Sequence, residues 1–192
     1  MADLNAELAR VGITGGVTKA PLGTPIPTDM EAWPEPWVDL GYISDDGLTE
    51  SVDADTEEFT PWQSNQPIRI EYTRETWTFQ ATFWESKYET IATYYRASRE
   101  DFEEREDGLI VMHQPAKPKR TRACYGFDVI DGDYARRLIT PSADVTDRDD
   151  IVYKSDTVIG YNVTITAYPV NGVSVVRMFM EDWALPALEP TG

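Results

Sequence analysis

The residue types that most often perform catalysis are scarce in this chain of 192 residues. It has one histidine, His113, and one cysteine, Cys124. A His-rich or Cys-cluster metal site is therefore excluded, and a His-based catalytic triad is not expected. A lone histidine beside a strand is typically a structural hydrogen-bonding residue. Cys124 lies in Ala-Cys-Tyr-Gly-Phe and is predicted to be a small buried apolar residue.

Carboxylates are the abundant reactive groups, with 34 Asp and Glu residues. A carboxylate pair could serve a glycosidase, but pairs occur throughout so acidic a chain and no pattern marks two of them as buried. Residues 45–47 and 53–55 resemble fragments of calcium loops, yet the twelve-residue spacing that ends in Glu is absent. Glycine-rich phosphate-binding motifs are absent as well. The sequence therefore predicts no catalytic residues, no metal site and no cofactor, and hence a protein that is not an enzyme.

The strongest local signal is an acidic stretch bracketed by Trp37 and Trp62. Residues 41–60 contain seven carboxylates and neither Lys nor Arg. These carboxylates are Asp45, Asp46, Glu50, Asp53, Asp55, Glu57 and Glu58. Composition alone is compatible with a solvated acidic loop, and the alternative is a loop that contacts other copies during assembly.

Positive charge is concentrated in one short segment, which follows a predicted strand at residues 109–112. Its members are Lys117, Lys119, Arg120 and Arg122. The net charge of -17 and the pI near 4.3 argue against nucleic-acid binding through a basic surface and against docking on an anionic membrane. Two interpretations of the basic segment stay open: a weak nucleic-acid contact, and a salt-bridging surface for the acidic loop of another copy.

Two terminal segments carry proline together with large apolar residues. Five prolines fall within residues 21–36, so this segment cannot form a central strand. Residues 1–36 are interpreted as an N-terminal arm and residues 183–192 as a C-terminal tail. Their predicted anchors are Leu22, Ile26, Trp33, Trp183 and Leu185. The arms are expected to pack on their own domain or on a neighbouring copy.

Between the arms, residues 37–182 show mainly period-two patterns, with one segment of helical period. Alternation at residues 68–72 and 77–83 changes phase between them, which predicts a turn or bulge near residues 73–76. Tyr88, Ile91 and Tyr95 share one helix face, so a helix is expected over about residues 86–98 with Ser86 as its N-cap.

The later part of the domain reads as strands joined by turns. Strands are predicted at residues 123–130 and 134–140, followed by an acidic loop at 142–150. Residues 158–168 form the clearest strand pattern, and Asn171-Gly172 predicts a hairpin whose return strand covers residues 173–180. No apolar run reaches 18 residues and no signal peptide is recognised, so synthesis in the cytoplasm without a membrane span is expected.

Several of these features together resemble one known family. They are the segment 37–47 after its Pro-rich lead, the acidic stretch closing at Thr60-Pro61-Trp62, the strand 78–85 leading into the helix at 88–95, and the late strand 160–168 with its Asn-Gly turn. Over residues 20–182 the chain is similar to the major tail proteins, or tail tube proteins, of long-tailed non-contractile bacteriophages.

The resemblance implies a mainly β fold, a β-sandwich or partial barrel of two packed sheets with one flanking helix and extended arms. It implies hexameric rings stacked into a tube in the virion tail, whose lumen conducts DNA without specific binding. The loop at about residues 44–59 would reach the neighbouring ring. Tape-measure, tail terminator and distal tail proteins would be further partners, and the host cytoplasm the place of synthesis.

The charge of the chain suits such a lumen. Six copies at -17 each carry -102 formal charges, and a wall without Lys or Arg contacts lets DNA slide past it. The acidic stretch has two possible targets, the DNA or the basic segment of an adjacent ring. The alternative functions are a head–tail connector or neck protein, which forms single rings, and a carbohydrate-binding sandwich that uses Trp37, Trp62 and Trp84.

Overall fold

The computed structural model describes residues 5–117, 119–181 and 185, and it is mainly β. In chain order the elements are β1 (Thr14–Pro21), β2 (Val38–Asp39), β3 (Ile43–Phe59), β4 (Arg69–Phe83), α1 (Tyr88–Tyr95), β5 (Phe102–Glu104), β6 (Ile110–Met112), β7 (Ala123–Asp131), β8 (Tyr134–Arg148), β9 (Tyr161–Ala167) and β10 (Val176–Met180), with 3-10 turns at Ala6–Leu8 and Arg99–Asp101. The described residues contain one α-helix, so the predicted mainly β fold with a single helix is confirmed.

The strands of one continuous hydrogen-bonded sheet make up two layers. Its order is β2-β1-β7-β8-β9-β4-β3, with β10 added beside β8, while β5 and β6 form a separate pair. The first half of β8 pairs with β7 and β10, and its last residues pair with β9. β8 therefore joins a first layer, β2-β1-β7-β8-β10, to a second layer, β8-β9-β4-β3.

The two layers pack face to face around an aromatic core. Phe79 of β4 stacks on Phe127 of β7 with ring centroids 4.3 Å apart, although the two strands are not neighbours in the sheet order. Trp77, two residues earlier on β4, lies 4.2 Å from the Arg177 guanidinium of β10. β4 thus crosses the strands of the first layer, which confirms the predicted sandwich or partial barrel.

The helix closes one side of this core. Tyr94 contacts Tyr161 of β9 edge to face at 5.6 Å, and the Thr90 hydroxyl donates to the Leu40 carbonyl at 2.6 Å. The helix ends at Tyr95, and its C-cap residue Arg96 has a left-handed φ of 55°. It is shorter than the expected span 86–98. The prediction that Ser86 caps it is wrong, because Lys87 takes the N-cap position and the Ser86 hydroxyl bonds the Tyr161 hydroxyl instead.

Two segments that were expected to be loops are strands. Residues 44–59 lie in β3, which pairs with β4 along nearly its whole length. Most of their side chains are exposed, and in such a strand no apolar alternation reveals the period. Residues 142–148 continue β8, and Ala143 and Val145 are buried in the core beside the exposed acids that follow.

The bulge expected near residues 73–76 is confirmed, and the alternative of a turn is wrong. Tyr72 pairs with Thr56 and Arg74 pairs with Asp55, so Thr73 is the extra residue within one continuous strand. Asn171 and Gly172 form a tight turn with φ values of 51° and 81°. The expected return strand is wrong in its partner, because β10 leaves this turn to pair with β8 rather than β9.

Candidate assembly surfaces

The outer half of the β3–β4 pair is a two-stranded ribbon, here called the hairpin extension (residues 52–77). β9 accompanies β4 only from Thr78 onward, so within the described strands the extension has no third strand. It exposes large apolar side chains that an isolated hairpin cannot bury: Val52, Phe59, Trp62, Ile68, Ile70 and Tyr72. Two strands alone are marginally stable in water, and exposed apolar clusters mark interaction sites. The extension is therefore a candidate contact surface.

The structure divides the predicted acidic residues among three places. Asp53, Asp55, Glu57 and Glu58 are exposed on the hairpin extension and form no ion pair within the described residues. Glu50 lies on the inner face, where it pairs with Arg177 of β10. Asp45 and Asp46 lie at the start of β3, in the irregular stretch between the paired residues Ile43 and Leu48.

The predicted basic residues lie between β6 and β7, and the structure does not bring them to the acidic stretch of the same chain. Lys119 pairs with Asp101 at 2.6 Å. That hydrogen bond, together with those from Ser98, lowers the pKa of Asp101 to about 2. Arg122 lies 4.2 Å from the Tyr168 ring centroid. Lys117 and Arg120 are exposed, with no ion pair within the described residues, and are available to another molecule.

The N-terminal segment 21–36 packs on its own first layer through Trp33. The indole lies over Gly126, where any Cβ would overlap the ring, and its Nε1 donates to Asp128 Oδ2 at 2.7 Å. Arg137 covers the ring at 4.1 Å and donates to the carbonyl of Glu31 at 2.9 Å.

The other predicted arm anchors divide between buried and exposed positions. Ile26 packs against the small cluster of Ala20, Trp37, Cys124 and Ile139. Leu22 and Leu185 are exposed. Trp183 lies outside the described residues.

On β4, β9 and the adjoining part of β3, the outward face of the second layer is polar and uncharged, and none of its residues is among the predicted site residues. On β8 the exposed Asp147 lies opposite Thr164. The cross-strand pairs of the uncharged part are Thr78–Thr166, Gln80–Thr164 and Thr82–Asn162, with Thr49 and Ser51 of β3 opposite Gln80 and Thr78. The Gln80 amide donates to the Asn162 carbonyl oxygen at 3.1 Å. The signal was present in the sequence as Thr, Gln and Asn at every second position of both strands.

Both edges of the second layer are open within the described strands. β3 pairs with β4 on one side only, over 17 residues of strand. Residues 144–148 of β8 pair with β9 and have no described strand on their other side. Unpaired strand edges are templates for pairing with another chain, so this layer can extend through neighbouring copies.

A groove opens where β1 and β3 begin. It encloses about 730 Å³ and is lined by the glycines at 12, 15 and 16 and by residues 41–48. Asp39, Asp45, Asp46, Glu85 and Asp128 contribute carboxylates to its lining. Lys87 lies 3.1 Å from Glu85 and lowers the pKa of that carboxyl, together with the Tyr42 backbone N–H. In the part of the chain that the structure describes, no group of three or more side chains is arranged to hold a metal ion.

The residues considered for other chemistries are dispersed. His113 is exposed, 3.4 Å from Glu103 Oε2, and Cys124 is buried with its thiol donating to the Pro141 carbonyl at 3.2 Å. The three tryptophans of the carbohydrate-binding alternative form no common platform. Trp37 is buried, and Trp62 and Trp84 lie beyond opposite ends of the 15-residue strand β4. Among the described helices, none is long and apolar enough to cross a membrane.

Comparison with known proteins gives a family for the chain. A family model described as "Phage tail tube protein" matches residues 2–190. No curated protein matches the chain. A solved structure entitled "Virion of native gene transfer agent (GTA) particle" contains a chain that is 11% identical, covering 90% of this chain and 100% of its own, with a TM-score of 0.44.

Proposed function

This chain belongs to the phage tail tube protein family and is a structural subunit of a phage tail, and we propose that its copies form hexameric rings stacked into a tube that conducts DNA. The observation that carries the proposal is the second layer, which combines two open edges among the described strands with a polar outward face that has no Lys or Arg over residues 78–83 and 161–167. Pairing the β3 edge of one copy with the β8 edge of the next continues the layer around a ring. Closure of such a ring leaves no free strand edge within it.

The outward face of the second layer then lines the lumen. Thr, Ser, Gln and Asn side chains present hydroxyl and amide groups and no Lys or Arg to DNA. Cationic side chains are what give proteins affinity for phosphates, so DNA finds few attachment points on this wall. The net negative charge of the subunit repels DNA over about 8 Å at physiological salt.

The hairpin extension supplies the axial contact between rings. It runs past the end of β9 and exposes apolar side chains, together with carboxylates that form no ion pair within the described residues. Heterologous contacts of this kind propagate along an axis, whereas the contacts within a ring close on themselves. The ends of the tube would bind terminator and distal tail proteins, and its lumen would hold a tape-measure protein.

Electron microscopy of the purified full-length chain over a range of concentrations tests this proposal. Sixfold rings and stacked tubes are the expected result. Single rings that never stack would indicate a connector or neck protein instead. A species that remains monomeric at the highest concentration and does not copurify with virions would overturn the proposal.

A further inference from the structure

We infer that the groove at the start of β3 receives the tip of the hairpin extension from a second copy, with Trp62 as the inserted side chain. This inference rests on the proposed stacking of rings and names the surfaces that meet. The tip comprises residues 60–68, between the ends of β3 and β4.

The tip presents a large apolar group with no cover in its own chain. Trp62 is 100% exposed, the most exposed large hydrophobic residue among those described. The turn that presents it is held by Ser64 N–H donating to the Pro61 carbonyl at 3.2 Å and by Ile68 N–H donating to the Phe59 carbonyl at 3.0 Å. A tryptophan presented on an ordered turn is a typical interface anchor, because such residues often dominate binding energy.

The groove is large enough to hold an inserted indole ring. Its 730 Å³ lie within the range of small-ligand pockets. Glycines at 12 and 16 contribute backbone without side chains to the lining, and Tyr42, which is 77% exposed, also lines the groove. β2 pairs with β1 only at Thr18 and Lys19, so among the described strands the first part of β1 offers a free backbone edge here.

The positions of groove and tip exclude insertion within one copy. The first residues of β3 line the groove, and its last residue precedes the tip. A strand of 17 residues separates the two by about 50 Å at roughly 3.3 Å per residue. Each copy therefore has an open groove at one end and a tip at the other, which is the arrangement of a head-to-tail polymer.

Charge favours the tip over the remainder of the hairpin extension as the occupant. Residues 60–68 contain no Asp or Glu, although the chain has 34 of them. Asp45 and Asp46 line the groove without an ion pair in the described residues, and would repel the acidic residues 53–58. The tip amides of Gln63, Asn65 and Gln66 can instead donate hydrogen bonds to those carboxylates.

The first experiment changes the tip and the groove separately in the full chain and measures the concentration at which tubes appear in electron micrographs. Trp62→Ala should raise that concentration about tenfold or more, as expected for an interface anchor. Gly16→Phe should have a similar effect by filling the groove. A Cβ at Gly16 meets only Asp39 Oδ2, at 3.6 Å, so the fold accommodates it. Ile110→Ala, at an apolar residue 63% exposed on β6, is the matched control and should change nothing.

The double variant distinguishes insertion from two unrelated effects. Because the tip and the groove act on one contact, Gly16→Phe should add little in the Trp62→Ala background. Additive effects, or tubes from either single variant at the wild-type concentration, would overturn the inference. Thermal unfolding of each variant at low concentration verifies that the monomer still folds.

Cross-linking identifies the contact directly. One preparation carries Ser64→Cys, a second carries Asp45→Cys, and the native Cys124 is buried and does not interfere. Mixed under oxidising conditions at tube-forming concentration, the two should form a disulfide-linked dimer. A dimer between Ser64→Cys and Arg120→Cys instead, or no dimer while tubes are present, would overturn the inference and leave the proposed tube intact. Absence of tubes from the wild-type chain would overturn the proposed function itself.

Discussion

Two tryptophans beside prolines, Trp33 and Trp62, end in opposite environments. Trp33 lies over Gly126, bonds Asp128 and is covered by the Arg137 guanidinium. Trp62 contacts solvent over its whole surface. Both belong to extended segments with other apolar residues, so the local sequence does not separate them. The two segments differ in what lies beside them. The N-terminal segment packs on its own first layer, where Gly126 leaves room for the Trp33 ring, whereas the hairpin extension runs past the end of β9.

The chain therefore uses its two extended segments for different tasks. The N-terminal segment contributes to the stability of the subunit, because its anchor Trp33 is packed and hydrogen-bonded within the same subunit. The hairpin extension contributes to assembly, because its apolar groups can be buried only on another molecule. Substitutions in the two regions should therefore affect different measurements.

The largest effect is expected from removing the residue that clamps the N-terminal segment. Arg137 is 4% exposed and pairs with Asp128 at 2.8 Å. Arg137→Ala leaves that carboxylate half-buried without its partner, which should lower the free energy of unfolding by about 3–5 kcal/mol. Chemical denaturation of the monomer measures this loss of unfolding free energy. An equal loss from Arg74→Ala, on the hairpin extension, would contradict the division between the regions.

Trp33→Ala is expected to lower the free energy of unfolding by about 3 kcal/mol, through lost packing over Gly126. Trp62→Ala should change it by less than about 0.5 kcal/mol, because an exposed side chain loses no buried contact. The same denaturation curves compare the two variants. Equal destabilisation by both would mean that Trp62 is covered within its own subunit.

The stability of the packed region should also depend on pH through Lys19. This residue lies on β1, the strand that pairs with β7. Burial, offset in part by the charges of Asp144 and Glu89, lowers the pKa of Lys19 from 10.5 to about 8. Between these values the unfolded chain binds more protons than the folded chain, so stability should rise with pH. From pH 8 to pH 10 the gain should be roughly 2 kcal/mol. Lys19→Met should remove this slope, and a slope that persists in the variant would contradict the assignment.

The smallest effect on stability, and a large one on assembly, is expected from the acids of the hairpin extension. Replacing Asp53, Asp55, Glu57 and Glu58 with Ser should leave monomer unfolding unchanged within about 0.5 kcal/mol, because these side chains are exposed and form no described ion pair. It should impair ring stacking, because the hairpin extension is the proposed contact with the next ring. Normal tubes from this variant, seen by electron microscopy, would show that these carboxylates take no part in stacking.

The sequence was informative where one face of a strand is buried. Alternation around Phe79 and Val163 predicted strands because each of these side chains fills the core and its neighbours face outward. It failed over residues 44–59 because most of these side chains are exposed, so the stretch has no apolar period, and its charge resembled that of a loop.

Partners distant in the chain were beyond local signals. Asn171-Gly172 specified a tight turn, but the partner of β10 was determined by packing in the first layer. The open edges of the second layer and the groove depend on which strands become neighbours. The acidic and basic residues could be named from the sequence, yet their separation into different surfaces could not.

Hydrogen–deuterium exchange in the free subunit and in assembled tubes tests whether the hairpin extension and the β3 edge are covered by neighbouring copies. The hairpin extension and the outer edge of β3 should exchange quickly in the monomer and become strongly protected in tubes, because a neighbouring copy then covers them. Residues 21–36 should show the same protection in both states. Tubes in which the hairpin extension exchanges as fast as in the monomer would contradict the account.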